Sequence, residues 1–376
     1  MTGQPSRYRV GIIGCGNIAS RYLTGLARFQ ELEVVACTDL RRELAESLAT
    51  QYGIAVHESP DSMLADPDID LIVNITPPNA HFAVSAAAMR ARKHVYVEKP
   101  MAPVLEDALR LIEIAEEQSV MLGSAPDTFL GSAGQTARAA LDSGLIGEPI
   151  GAIAVVRHSK AELWHPDPTF LFQPGGGPAL DLGPYYIASL VNLLGPVESV
   201  SGFTRIGASP RSVTAPDRRV ESIDVTTPTH MSGSLEFRSG AIATLMMSFD
   251  VWETDLPHIE VYGTEGTLSV PNPDLLDGDV RFRPNGQTQW RTLDPVLPPS
   301  GPIEDGFLQR LRGTGVADLV GAIEGAPHRA SDRLAAHVLE VLQAVQTSSD
   351  TATVVRLSTT CERPAVGREI SERTKA

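Results

Sequence analysis

The first 125 residues alternate short β-branched runs with helix-like stretches, and this alternation constrains the fold more than any other feature. "YRVGIIG" (8–14) opens it, followed by a helical stretch to Phe29 and by "LEVVACTD" (32–39). An apolar-periodic segment from Arg41 to Tyr52 precedes "DIDLIVNIT" (68–76). Then come "AHFAVSAAAMRAR" (80–92), the strand "HVYVEK" (94–99), the helix "VLEDALRLIEIAEEQ" (104–118) and "VMLGSA" (120–125). Strands separated by helices of this length imply βαβ units, hence a parallel sheet covered on both faces. Ligands of such sheets bind outside the carboxyl ends of the strands.

The first of those ends reads "GCGNIA", Gly14-x-Gly16-x-x-Ala19. Gly14 permits the tight turn, Gly16 lets backbone approach a pyrophosphate, and Ala19 allows close helix–strand packing. The helix amino terminus, with Asn17 and Ile18 in its first turn, offers N–H groups and partial positive charge to phosphates. Asp39 ends the second strand 25 residues after Gly14, where its carboxylate can accept from both ribose hydroxyls. A 2′-phosphate would meet that charge, so the expected cofactor is NAD; Arg41 and Arg42 leave NADP possible. "NITPPNAH" (74–81) closes another strand in the same crevice, making Thr76, Pro77, Asn79 and His81 candidate cofactor contacts. Asn79 could also cap the following helix. His81 is read as a helix-start or structural histidine rather than a catalyst.

A chain of 376 residues exceeds one ordinary core, so two domains are expected, over 1–125 and 126–376. The last residues, 362–376, are polar and read as a loose tail. A net charge of −15 disfavours nucleic acid and anionic membranes. No apolar run reaches membrane-spanning length, and the amino terminus lacks a signal-peptide core. Cys15, Cys37 and Cys361 form no disulfide or zinc spacing. These features together predict a cytoplasmic protein.

Val95, Tyr96 and Val97 suit a buried strand, yet it stops at Glu98-Lys99-Pro100. A charge pair at the mouth of a buried strand costs desolvation free energy unless something uses it. "GCGNIA", "ITPPNAH" and "VEKP" in this order resemble the Gfo/Idh/MocA family of glucose-fructose oxidoreductase and inositol dehydrogenase. "GGGPALDLGPYYIASLVNLLGPVESVSG" (175–202) and "HIEVYGTEGTLSVP" (258–271) are similar to that family's catalytic helix and second-domain sheet. The resemblance implies an α/β chain: an N-terminal Rossmann parallel sheet, then an α+β domain with a large, mostly antiparallel sheet. It implies an NAD(P)-dependent oxidoreductase acting on a secondary hydroxyl or ketone of a sugar, polyol or glycoside. It puts Lys99 beside the nicotinamide and the reacting carbinol, with Glu98 orienting or balancing it. A cis Lys99–Pro100 bond is compatible with the motif.

The second half agrees independently. "AIATLMMSFDV", "THMSGSLEF" and "HIEVYG" have strand composition, with turns at Ser239-Gly240 and Glu265-Gly266. A broad sheet face without helices would be apolar, and oligomerisation buries such faces, so a homodimer or homotetramer is expected. Asp181 and Tyr185 are four apart, which on one helix puts them on one face. Many relatives carry Asp and His at this spacing; Tyr185 resembles the glucose-fructose oxidoreductase and dihydrodiol dehydrogenase branches. Tyr185 is therefore the expected proton donor/acceptor and Asp181 the hydroxyl-binding partner. Tyr186 is the rival, pointing about 100° away on a helix.

Trp164 and His165, in "ELWHPDP" (162–168), could line a sugar pocket. His158, His165 and Asp167 match no common zinc spacing, so no metal is expected. Gly175, Gly176 and Gly177 read as a close-packed turn rather than a phosphate loop. His328 and Arg329 read as the start of the last helix. Alternative activities are trans-dihydrodiol oxidation, a non-catalytic dinucleotide-binding regulator and a cofactor-retaining transhydrogenase.

Overall fold

A computed structural model describes residues 7–159, 161–301 and 306–366. The chain forms two compact units, neither contiguous in sequence. The first comprises the described residues up to Gly131 with those of 299–336 and 364–366; the second comprises 132–298 and 337–363. A single boundary after residue 125 was expected from the sequence. Instead the chain returns to the first unit after Pro298. The loose tail expected at 362–376 lies, from 367 onward, outside the described residues.

The first unit is built on β1 (Tyr8–Ile13), β2 (Leu32–Thr38), β3 (Ala55–Val56), β4 (Leu71–Asn74), β5 (His94–Val97) and β6 (Leu122–Ser124). They pair in the order β3-β2-β1-β4-β5-β6, all parallel. Helices α1 (Ala19–Leu26), α2 (Arg42–Tyr52), α3 (Pro60–Leu64), α4 (Pro78–Arg90) and α5 (Leu105–Gln118) make the crossovers. All four residues of β4 are buried, as a strand covered on both faces requires. The order reverses between β1 and β4, which opens the crevice where ligands of such sheets bind. β3 escapes a sequence reading because two residues carry no periodicity. The later helix Thr314–Ile323 packs on β5, β6 and α1. Its first turn is capped by Asp127, whose Oδ2 accepts from the backbone N–H of Gly313 (3.2 Å) and Gly315 (2.7 Å).

The second unit contains α6 (Ser132–Asp142), β7 (Pro149–Arg157), α7 (Ala161–Trp164), α8 (Gly177–Asp181), α9 (Gly183–Leu194) and β8 (Val197–Arg205). A short pair, β9 (Arg211–Ser212) and β10 (Ser222–Ile223), precedes β11 (His230–Phe237) and β12 (Ile242–Ser248). β13 (Ile259–Gly263), β14 (Gly266–Val270), β15 (Arg281–Pro284), β16 (Arg291–Thr292) and β17 (Val355–Arg356) complete it. The nine-stranded order is β16-β15-β14-β13-β7-β12-β11-β8-β17, parallel only between β7 and β12. Every residue of α9 is buried, as its all-round apolar sequence demands. The late helix starts at Asp332, three residues beyond Arg329. His328 and Arg329 therefore lie in a loop, where the Asp318 carboxylate takes the Arg329 side chain (2.5 Å) and the Arg329 and Ala330 backbone N–H groups.

In β12 of the large sheet Ala243, Leu245 and Met247 are buried while Ile242 and Thr244 are exposed. The outward face mixes apolar and hydroxyl side chains. By register Ile153, Thr244, Ser234 and Ser201 form one row across it, and Met246, Ser232 and Phe203 another. Small hydroxyls separate the apolar side chains, which keeps such a face compatible with water.

Candidate functional site

In the first unit the loop after β1 is shaped by what glycine lacks. Gly14 has φ +102°, and a Cβ there would lie 2.7 Å from the Ile75 carbonyl oxygen and 2.9 Å from the Thr76 nitrogen. Only glycine lets the ends of β1 and β4 approach this closely. A Cβ on Gly16 would meet nothing within 4 Å, so that side of the loop is open. Asn17 is exposed and Ile18 half-buried beside it, at a helix start whose first N–H groups have no partner inside the helix. The Asp39 carboxylate accepts from the Cys15 N–H (2.7 Å) and the Arg41 N–H (2.8 Å), tying the loop to the end of β2. A carboxylate has about four acceptor positions, so capacity for hydroxyl groups remains. The open glycine, the helix terminus and the acidic strand end together fit a dinucleotide.

At the mouth of β5, Glu98 is 6% exposed. One of its oxygens accepts the Tyr22 hydroxyl (2.8 Å) and the other the Lys99 backbone N–H (2.9 Å). Burial and the neighbouring carboxylate push the Tyr22 pKa well up, so Tyr22 stays a protonated donor. Glu98 thus holds the backbone of the half-buried Lys99, whose bond to Pro100 is cis. Nitrogen Nδ1 of His81 lies 2.7 Å from the Pro100 carbonyl oxygen and Nε2 lies 2.8 Å from that of Thr76. At 1% exposure, with its two ring nitrogens facing those two carbonyls and its one N–H donated to one of them, His81 joins the two strand-end loops.

Asn74 extends this web: its Oδ1 accepts from the Thr76 N–H (3.2 Å) and hydroxyl (2.7 Å), and its amide donates to the His81 carbonyl (3.1 Å) and to Ser85 Oγ (3.0 Å). Asn79 does not cap α4. Pro77 occupies that position, because a proline pair with fixed φ is pre-set for a helix start, and Asn79 is exposed inside the first turn. Tyr22 and Asn74 were missed from the sequence. Asn74 carried a signal, a polar side chain ending an apolar strand; Tyr22 carried none.

In the second unit the helix expected to hold Asp181 and Tyr185 together is broken. Asp181 ends α8, Leu182 caps it (φ −111°, ψ −27°), and α9 restarts at Gly183-Pro184. Proline disfavours helical backbone in the residue before it and cannot donate. Gly183 is needed for packing as well, since a Cβ there would lie 2.6 Å from Leu342. Tyr185 is 4% exposed and Asp181 half-buried. Tyr186 has a partner of its own, His258 Nδ1 at 2.7 Å from its hydroxyl. Burial pushes the Tyr186 pKa up and that of His258 down to about 4, so a neutral phenol and a neutral imidazole share this hydrogen bond. The histidine that engages Tyr186 lies 72 residues away in the sequence. Trp164 is 57% exposed, with its ring 5.3 Å from that of His165, which packs on Phe170 at 5.4 Å. His165 Nδ1 accepts the Asp167 N–H (3.1 Å). The three glycines form the expected turn: Gly175 and Gly177 have φ of +90° and +81°, and a Cβ on Gly176 would strike Phe170 backbone.

Residues 8–125 match the model of an oxidoreductase family with an NAD-binding Rossmann fold, and residues 135–269 match the corresponding C-terminal domain, both of the GFO/IDH/MocA group. A 1,5-anhydro-D-fructose reductase from Ensifer adhaerens is 30% identical over 266 residues, 69% of this chain and 74% of that protein. A myo-inositol 2-dehydrogenase from Thermotoga maritima is 24% identical over 265 residues, 70% of this chain and 75% of that protein. Among solved structures, a levoglucosan dehydrogenase in complex with NADH and levoglucosan superposes with a TM-score of 0.80 at 19% identity, covering 94% of this chain and 100% of that one. An NAD-binding oxidoreductase from Klebsiella pneumoniae gives 0.81 at 21%, covering 93% and 99%.

Proposed function

Because the chain belongs to the Gfo/Idh/MocA family of NAD-binding oxidoreductases, we propose that it interconverts a secondary hydroxyl and a ketone on a sugar, polyol or glycoside. The observation that carries this reading is Lys99, an ammonium-bearing residue at a strand mouth, with its backbone held by the buried Glu98 carboxylate. Such a placement sets a half-buried cation at the carboxyl end of a parallel strand, the edge at which ligands of this kind of sheet bind.

NAD, when bound, supplies the two-electron acceptor and donor. Gly16, Asn17 and Ile18 would hold its phosphates and Asp39 its ribose hydroxyls, so that NAD is preferred to NADP. The chain's own residues manage charge and proton. The Lys99 ammonium stabilises negative charge developing on the substrate oxygen. Tyr185 takes or returns the hydroxyl proton, a task for which a phenol of ordinary pKa ~10 must be made more acidic. Asp181 accepts a hydrogen bond from a second hydroxyl. The exposed indole of Trp164 offers an apolar face to a sugar ring. The named activities of the anhydrofructose reductase, inositol dehydrogenase and levoglucosan dehydrogenase support this substrate class. A homodimer or homotetramer would pair through the outward sheet face, at the exposed side chains of Phe203, Ile242 and Tyr262.

The test follows absorbance at 340 nm with NAD⁺ or NADP⁺ and pooled sugars, polyols and glycosides. Lys99→Ala runs in parallel, and NADH fluorescence titration checks cofactor binding. The expected result is turnover lost in the variant with NADH binding kept. NADH binding without turnover on any pool would remove the dehydrogenase reading, and no binding of either cofactor would remove the cofactor site as well.

A further inference from the structure

Tyr22 lies on α1, the helix that follows the nucleotide loop, and is 0% exposed. Its ring packs with its centroid 6.5 Å from that of Tyr96. Packing alone would be served as well by phenylalanine, since a buried hydroxyl adds a group that must find a partner. The partner is Glu98, and the pair does what an apolar contact cannot. Glu98 is fixed at its backbone, where its N–H donates to the Asn74 carbonyl at the end of β4 (2.9 Å). From there its carboxylate reaches two ways. Oε1 accepts the Tyr22 hydroxyl (2.8 Å) and Oε2 accepts the Lys99 N–H (2.9 Å). Hydrogen bonds to an ionised acceptor are the stronger kind, so both ends of this link are firm.

A glutamate held by the Lys99 N–H alone would still turn. Its side-chain torsions each have alternative staggered positions, and contact through one oxygen does not choose among them. The hydroxyl from α1 removes that freedom by engaging the second oxygen. Without it, a buried carboxylate oxygen would lack its donor, and the group would turn toward another, releasing the Lys99 N–H. The residue after Lys99 is Pro100, which has no N–H to offer. On that side the chain is held at the Pro100 carbonyl, by the His81 ring (2.7 Å). The anchor on the amino side of Lys99 runs back through one hydroxyl to α1.

We infer that Tyr22 is a positioning residue: through Glu98 it fixes the backbone from which the Lys99 side chain leaves the strand end. One helix then both presents N–H groups to the cofactor phosphates and sets the lysine. The inference rests on the oxidoreductase reading of Lys99. Tyr22→Phe tests it, because the ring stays and only the hydroxyl goes. The full chain without cofactor is acetylated with acetic anhydride and its peptides are followed by mass spectrometry. Lys99 is expected to react about threefold faster or more in the variant, with Lys93 unchanged. Lys93 is the control for general loosening: it is 8% exposed in the same unit, its ammonium held by the Asp66 and Ile69 carbonyls (2.7 Å each). At 340 nm, on the pool that the unsubstituted protein turns over, kcat is expected to fall by roughly ten- to a hundredfold. KM and NADH affinity should stay within about twofold, the pattern of a misplaced group rather than of lost binding.

Circular dichroism checks folding. Should Tyr22→Phe not fold, Tyr22→Phe/Glu98→Gln, which also removes the buried charge left without its donor, is read in the same two ways. Unchanged Lys99 labelling, equally faster labelling of Lys93, an unchanged kcat, or a loss confined to NADH affinity would each overturn the inference. An unsubstituted protein that turns nothing over loses the oxidoreductase reading and this inference with it. Turnover abolished by Lys99→Ala but untouched by Tyr22→Phe removes the inference alone.

Discussion

The two glycines of the nucleotide loop predict opposite failures when each is replaced by alanine. At Gly14 the residue sits at φ +102°, which costs an L-amino acid ~1–2 kcal/mol. The added methyl would also lie 2.7 Å from the Ile75 carbonyl oxygen and 2.9 Å from the Thr76 nitrogen, backbone atoms that cannot rotate away. Overpacking of this kind typically adds ~1–3 kcal/mol, giving a total of roughly 2–5 kcal/mol. For a unit of this size that corresponds to a melting temperature lower by roughly 5–15 °C. At Gly16 the methyl meets nothing within 4 Å, so the fold is unaffected, within about 0.5 kcal/mol. The methyl does occupy the open side where a pyrophosphate must approach, and a tenfold or greater loss of NADH affinity, ~1.4 kcal/mol, is expected. Thermal melts and NADH fluorescence titrations on both variants measure the two quantities separately. A Gly16→Ala protein that melts early but binds NADH normally would refute the assignment of that surface to the cofactor.

Further outcomes follow from the same geometry. Asp39→Asn should shift the NADP-to-NAD ratio of kcat/KM upward by about tenfold or more, since it removes a charge opposed to a 2′-phosphate; an unchanged ratio would detach Asp39 from the ribose. Tyr185→Phe should lower kcat by ~10²–10⁴-fold with NADH binding retained, whereas Tyr186→Phe should cost ~1 kcal/mol of stability, read in urea, through its lost bond to His258. Acid should unfold the protein through its buried neutral histidines. His337 accepts the Val197 N–H at Nε2 (3.0 Å), and burial, with Arg238 beside it and only partial opposition from Glu340, pushes its pKa down to about 4, as burial does for His258. Folded-state values below the ordinary ~6.5 mean this stability is complete above pH ~6.5 and falls as pH drops toward 4, by ~1.4 kcal/mol per pH unit for the fully buried His337. Equal urea midpoints at pH 7 and pH 4.5 would contradict this. Finally, Cys15, Cys37 and Cys361 are all buried free thiols, so a thiol reagent should label them only as fast as the chain opens; rapid native labelling would show the burial to be wrong.

Much of the first unit was legible because its signals are local. A parallel strand buried on both faces is apolar without interruption, as β4 is, and a turn that must admit a helix and a phosphate needs glycine at set spacings. Lys99 was visible because a lysine at the mouth of an apolar strand breaks the pattern around it. The second unit was legible as strands and turns but not as a site. The spacing of Asp181 and Tyr185 suggested one helix, and Pro184 was the local warning that the helix would restart.

The amino-acid sequence by itself determined the alternation of strands and helices in the first unit, the glycine loop with its acidic strand end, and the lysine at the mouth of β5, because periodicity and turn chemistry act between neighbours. Tertiary structure alone decided that Glu98 is buried against Tyr22, 76 residues away, that Tyr186 is engaged by His258, and that Arg211 joins Glu162 to Asp250 across separations of 49 and 39 residues. A polar side chain in a one-dimensional pattern carries no mark of its distant partner. Whether it ends as a solvated surface group, a satisfied buried one or an acceptor left open to a ligand depends on which chain segments the fold packs around it.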